Sequence, residues 1–193
     1  MTPSLERYVA DLPAGLESHP ECQVKGAALR SMLDLVGDHP IPELPFVAEY
    51  RAHGVLPSVW YPEVHLATLV LAARARAFPT DAALLDRVFE ANLEMFQSKL
   101  YYRLMALLSP GGLLKRGPTN WLQFHRGTRF LVHSIREHEA EASLEFPARL
   151  FGSLHAQVFA KAFEAALHFN GAKAAKLEVE SLQPTEVRYR ATW

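Results

Sequence analysis

The sequence predicts an α+β fold, a helical N-terminal half packed on a four-stranded antiparallel sheet at the C-terminus. Three observations lead there. Residues 129 to 193 hold four short stretches in which apolar and polar residues alternate with the period of two of a half-buried strand. One helix-like stretch separates the first two of these from the last two, giving the order strand, strand, helix, strand, strand. Before residue 126, apolar residues recur instead at three and four, in segments punctuated by proline and glycine. Two hairpins joined by a helix can form one antiparallel sheet with that helix on one face.

In the first hairpin, Arg129 to Ile135 puts Phe130 and Val132 on one face and Leu131, His133 and Ile135 on the other. Arg136, Glu137 and His138 break the pattern. Ala140, Ala142, Leu144 and Phe146 then alternate with Glu139, Glu141, Ser143 and Glu145. A helix is expected from about Arg149 to Phe169, with Leu154, Val158, Phe159, Phe163 and Ala166 on one stripe, stopped by Asn170-Gly171. Leu177 and Val179 begin the second hairpin. Gln183-Pro184-Thr185 turns it, and Val187, Tyr189, Ala191 and Trp193 complete it. Trp193 is expected to be largely buried against the helix from Leu154 to Phe169, because a large aromatic at a free chain end would otherwise be mobile.

The N-terminal half opens with a short lead-in, Thr2-Pro3-Ser4, and a loop from Leu12 to Pro20. A helix is expected over Glu21 to Val36, ended by Gly37, and a short one over Phe46 to His53, closed by Gly54. Three prolines hold Asp38 to Pro45 extended or turning, and Pro57 to Pro62 is a second break carrying Trp60 and Tyr61. Pro62 suits the first turn of a helix over Glu63 to Phe78, nearly apolar all round and therefore central to the helical half. Ala82 to Leu108 keeps helical spacing, with a break expected near Gln97-Ser98. Ser109-Pro110-Gly111-Gly112 stops it. Leu113 to Arg116 and Pro118 to Phe124 are further helical turns before Gly127 opens the first strand. With no long linker, residues 1–193 are expected to form one globular domain, 1–126 mainly helical and 127–193 hairpin-helix-hairpin.

The chain has 193 residues, a hydrophobic share of 49% and a formal net charge of -1. That length allows a sizeable core, and the near-neutral charge gives no electrostatic case for nucleic acid. The longest apolar stretch, Leu66 to Ala73, is too short to span a membrane. Met1 to Gly15 carries Glu6 and Asp11 and no long apolar run, so no signal peptide is expected there. A single cysteine, Cys22, excludes an intramolecular disulfide, and the cytoplasm is the expected compartment.

No phosphate loop, dinucleotide fingerprint, Cys-x-x-Cys or nucleophile elbow is present. The nine histidines include no His-x-x-x-His pair, and no metal site is expected. His65 sits in an apolar helix with Glu63 on a different face, and His133 could meet Glu139 across the hairpin. The segment His125-Arg126-Gly127-Thr128-Arg129, beside Trp121 and Phe124, is the densest polar stretch. It reads either as an anion site made by Arg126, Arg129 and nearby amides, or as a solvated turn that positions the first strand. Likewise Trp60, Tyr61, Tyr101, Tyr102 and Trp121, with Phe46, Phe89 and Phe96, either line an apolar pocket between the halves or pack as core. Cys22 is expected to be inert packing. The candidate ligand-binding set is therefore Arg126, Arg129, His125, Trp121, Trp60, Tyr61, Tyr101 and Tyr102, with no catalytic residue.

The stretch Phe151-Gly152 through Asn170-Gly171, with two strands ending in Tyr189-Arg190-Ala191-Thr192-Trp193, is similar to the end of a family of myxobacterial paralogues of unknown function. That family resembles the superfamily of 4-vinyl-reductase-type ligand-binding domains, TRAPP vesicle-tethering subunits and haem nitric-oxide sensors. The resemblance covers roughly Leu84 to Trp193. It implies helices on an antiparallel sheet with a buried cavity between them. The haem sensors carry a proximal histidine on the helix before the sheet and a Tyr-x-Ser-x-Arg motif on a following strand. Here Asn92 to Leu108 has no histidine, and His125-x-Gly127-x-Arg129 keeps only the arginine, so no cofactor is expected. The expected function is a non-enzymatic, cytoplasmic regulatory domain of bacterial signalling. It would bind a small, mostly apolar ligand with an acidic group between helices and sheet. A protein–protein adaptor, using a sheet edge or the surface from Phe46 to Tyr61, is the alternative. A haem or gas sensor is the third reading. A partner protein and a homodimer complete the expected partners.

Overall fold

The computed structural model describes residues 4–97 and 109–193. In chain order the helical half contains α1 (Leu5–Asp11), a 3-10 turn (Gly15–Glu17), β1 (Gln23–Lys25), α2 (Gly26–Val36), α3 (Pro45–His53), β2 (Trp60–Pro62), α4 (Glu63–Arg76) and α5 (Asp81–Gln97). After residue 108 come α6 (Pro110–Lys115), α7 (Gly117–Phe124) and β3 (His125–Arg126). The C-terminal third is β4 (Arg129–Ile135), β5 (Glu139–Glu145), α8 (Ser153–Phe169), β6 (Lys176–Gln183) and β7 (Glu186–Thr192). Strands β4 to β7 form one antiparallel sheet in the order β4-β5-β7-β6, so the last strand is interior. This is the α+β architecture the alternation predicts.

Helix α8 lies on one face of that sheet. Its Phe163 meets Tyr189 of β7 and its Glu164 accepts from the Leu177 amide of β6 at 2.9 Å, over a buried layer of Ala140, Leu144, Val187, Tyr189 and Ala191. The Tyr189 hydroxyl, in the middle of this layer, donates to the Ala156 carbonyl at 3.2 Å. Helix α5 packs on α8 from outside, and α2 packs on α4. In α4 ten consecutive or near-consecutive residues from Glu63 to Ala73 are buried, as an apolar run without a polar stripe requires. Among the described residues no helix is long and apolar enough to cross a membrane.

Four local expectations change. The first turn of the expected helix Glu21 to Val36 is strand β1, because its residues pair with β2 on one side and β3 on the other. Gly26 then starts α2. The Gly26 and Ala27 amides donate to the carbonyls of Val59 and Pro57, and a Cβ at Gly26 would lie 2.2 Å from the Leu56 carbonyl oxygen, so only glycine fits. In β4 a bulge at His133 shifts the register and puts Ile135 opposite Ala140, packed against the core rather than on the face of Leu131. The helix expected from Arg149 begins at Ser153, after an Arg149 with φ 71°. Trp193 follows β7 at the core's margin, only partly buried, with its amide donating to the His138 carbonyl at 3.0 Å. Helix α1 was not anticipated. Ser4 caps it by accepting from the Arg7 amide. The expected continuation of α5 to Leu108, like Tyr101 and Tyr102, lies outside the described residues.

Candidate functional site

The second sheet, in the order β2-β1-β3, sits where the helical half meets the C-terminal layer. Strand pairing places Val24 opposite both Tyr61 and His125, and Lys25 opposite Trp60. Side chains alternate across a strand. One face therefore carries Val24, Tyr61 and His125 inward, and the other carries Gln23, Lys25, Trp60 and Arg126 outward.

His125 is consequently buried and meets Glu63, the first residue of α4. Its Nδ1 lies 3.0 and 3.2 Å from the two Glu63 carboxylate oxygens. Glu63 is 0% exposed. Its own amide donates to the Cys22 carbonyl at 2.9 Å. Trp121, one helical turn before His125, stacks on the imidazole at 3.7 Å with an 8° tilt. The indole N–H donates to the Thr128 hydroxyl at 3.0 Å. Phe159 of α8 stands edge-on to both rings, and Phe130 and Phe163 continue the aromatic packing. Gly127, at φ 73°, closes the corner. A Cβ there would come within 2.8 Å of the Cys22 sulfur. The Cys22 thiol is buried beside the Gly127 carbonyl and is pushed up to about 12, chiefly by desolvation and then by Glu21 and Glu63, so it is an unreactive packing group. With both oxygens, one ring nitrogen and a ring face engaged, this is a buried carboxyl–imidazole hydrogen-bonded pair that joins α4 to β3, not an exposed acid–base pair.

A second buried histidine lies deeper. His155 of α8 accepts from the Gly152 amide at Nδ1, at 2.9 Å. Its other nitrogen, Nε2, is 3.0 Å from the Ala67 carbonyl of α4, which can only accept, so the imidazole is neutral with its proton on Nε2. Desolvation pushes it down to about 4 against the partial support of that carbonyl. Beside it is a cavity of about 20 Å³ with apolar walls, between Met32, Leu66 and Val70 on one side and Phe151, Val158 and Phe159 on the other. That is room for a body the size of one water molecule, without the polar partners a water needs. His65, on α4, stacks on Phe46 at 3.8 Å and meets the Tyr50 hydroxyl at 2.7 Å. Burial pushes it to about 4 as well.

Of the predicted residues, the structure brings His125 and Trp121 together, and separately Trp60 and Arg126. The Arg126 guanidinium lies 3.9 Å from the Trp60 ring centroid on the outer face. Arg129 is exposed and pairs with Glu145 at 3.6 Å, so the two arginines do not converge. The Tyr61 hydroxyl accepts from the Leu56 amide and its ring meets Tyr50 edge-on. His133 bonds the Ser143 hydroxyl at 2.8 Å rather than Glu139, which faces Arg190. Sequence reasoning missed Glu63 and His155. A lone acid opening an otherwise apolar helix was the one available signal for the first, and nothing local marked the second.

No known protein family matches the chain, and no curated protein matches it. Solved structures do. One, described as probing haem distortion in the H-NOX family, has a TM-score of 0.60 at 11% identity over 87% of this chain and 92% of its own. The unliganded Fe(II) H-NOX protein from K. algicida gives 0.55 at 17% identity, covering 87% and 95%. An oxygen-binding H-NOX domain related to soluble guanylate cyclases, in its oxygen complex, gives 0.54 at 12%, covering 86% and 91%. The chain thus has the fold of the haem nitric-oxide and oxygen-binding domains. The resemblance to the haem-sensor superfamily holds at the level of fold, and the narrower one to a myxobacterial paralogous family has no counterpart in these comparisons.

The residues present do not fit haem. No histidine lies between His65 and His125 in the chain. His155 has both nitrogens bonded, His125 is held between Glu63 and Trp121, and His65 faces Tyr50. The aromatic stack of Trp121, Phe130, Phe159 and Phe163 fills the junction, and the cavity of about 20 Å³ is far below the several hundred Å³ usual for an organic cofactor. Among the described residues no cluster of His, Cys, Asp and Glu suits a metal ion.

Proposed function

We propose that this chain is a single, non-enzymatic cytoplasmic sensor domain for a small molecule or dissolved gas, and that it works without haem. The carrying observation is the fold, shared over nearly the whole length of the H-NOX domains, with the junction between helices and sheet closed by side chains. The cavity beside His155 has room for a gas-sized, uncharged ligand. The sequence reading of an apolar ligand with an acidic group draws on Arg126 and Arg129, which both face outward, and a ligand of that size needs the aromatic stack to part. Its position between α2, α4 and α8 would let occupancy alter how the helical half packs on the sheet layer. Purified protein titrated with reduced haemin should develop no Soret band. Under xenon pressure, the methyl resonances of Leu66, Val70 and Val158 should shift while distant ones stay fixed. Stoichiometric haem uptake overturns the haem-free reading, and unmoved methyl resonances overturn the gas-sized site.

A further inference from the structure

The outward face of the β2-β1-β3 sheet is built unlike an ordinary solvated surface. Lys25, Trp60 and Arg126 share it. The Lys25 ammonium lies 4.1 Å from the Trp60 ring centroid and donates to the Ser58 carbonyl at 2.6 Å, while the Arg126 guanidinium lies 3.9 Å from the same centroid. Among the described residues neither cation has a carboxylate partner, whereas Arg74, Arg76, Arg87, Arg129, Arg188 and Arg190 each have one. An arginine stacked on an aromatic ring gives up little freedom when its N–H fork later takes a carboxylate. The loop that leads into Trp60 is held by the Tyr61 hydroxyl and by the first amides of α2. The Leu56 amide donates to the Tyr61 hydroxyl, and the carbonyls of Pro57 and Val59 accept from Ala27 and Gly26. That rigid loop presents Leu56 at 61% exposure and Val59 at 41%. Apolar side chains held in water beside preorganised cations match the aromatic, arginine and aliphatic make-up of interface hot spots.

We infer that this face docks an acidic segment of a partner protein, whose Asp or Glu carboxylates take Arg126 and Lys25 and whose aliphatic side chains cover Leu56 and Val59. Two cations on a chain of net charge -1 are too few to hold an anionic membrane, which favours a protein occupant. The inference does not depend on any ligand at the junction. The test is selection of a random twelve-residue peptide display library on the full chain, followed by fluorescence anisotropy with the enriched peptides. Enriched sequences should carry Asp or Glu next to Leu, Ile or Val. Their binding should weaken at least tenfold on Arg126→Glu and on Leu56→Asp, with thermal melts of both variants unchanged. If a variant does melt lower, chemical-shift mapping on the unaltered protein replaces it and should centre on Lys25, Leu56, Val59 and Trp60. No enrichment, enrichment of basic peptides, affinity unmoved by both variants, or binding to phosphatidylserine vesicles in place of peptides would overturn it.

Discussion

Replacing His125 by Phe tests whether the Glu63–His125 pair holds the helical half to the sheet. Phenylalanine keeps a flat ring between Trp121 and Phe159, so the aromatic contacts survive and only the bond to Glu63 is lost. That leaves a carboxylate that is 0% exposed without its partner. Leaving a buried hydrogen-bonding group unsatisfied costs about 1–3 kcal/mol. At roughly 2–4 °C per kcal/mol for a chain of this size, His125→Phe should lower Tm by about 2–12 °C. Glu63→Met, which instead orphans one imidazole nitrogen, should cost about 1–3 kcal/mol. The double variant removes both polar partners and fills the site with apolar groups, so it should be more stable than His125→Phe alone. Urea unfolding of the four proteins at neutral pH measures the cycle, and 1 M salt should change it little because the pair is shielded from solvent. A loss below about 1 kcal/mol for His125→Phe, or strictly additive losses in the double variant, would refute the reasoning.

Three further outcomes follow from the geometry. Burial pushes His155 from its ordinary 6.5 to about 4, so the unfolded chain binds a proton that the folded chain refuses. Stability is then fully present above pH 6.5 and declines toward pH 4, by about 3 kcal/mol from His155 alone. The urea midpoint should fall through that window, and His155→Gln should flatten the slope; an equal slope in both proteins counts against a neutral buried imidazole. Deleting Arg190 to Trp193 removes the pairing of β7 with both β5 and β6 around Ala191, the fully packed Ala191 side chain and the partly buried Trp193 ring. That truncation should abolish the cooperative melt or lower it by well over 10 °C. Deleting Met1 to Ser4 removes the Ser4 cap of α1, worth about 1 kcal/mol, so a melt more than a few degrees below that of the full chain contradicts the assignment.

What the sequence reveals and hides here divides along range of interaction. The alternation in β5 and β7 and the helical stripe of α8 were legible because each is dictated by neighbours two, three or four residues away. Trp121 and His125, four apart at the end of α7, could be joined for the same reason. Strand β1 was hidden inside a helical pattern, since three residues become a strand only when β2 and β3, more than thirty and a hundred residues away, supply their hydrogen bonds. The bulge at His133 is likewise invisible until β4 is laid beside β5, and it turns a half-buried Ile135 to pack against the core. Arg126 and Arg129 look like one cluster in the sequence. Gly127, turning at positive φ between two separate sheets, sends one to Trp60 and the other to Glu145. The Glu63–His125 pair spans 62 residues, and neither partner is unusual in its own segment: an acid suits the start of any helix, and a histidine any turn. What sets them apart is desolvation, which the fold creates by wrapping Trp121 and Phe159 over a contact that no local signal requires. A site of that kind becomes visible only when burial and pairing are known together. The outward triad of Lys25, Trp60 and Arg126 arises from the same three short strands, as the opposite face of the pairing that buries His125.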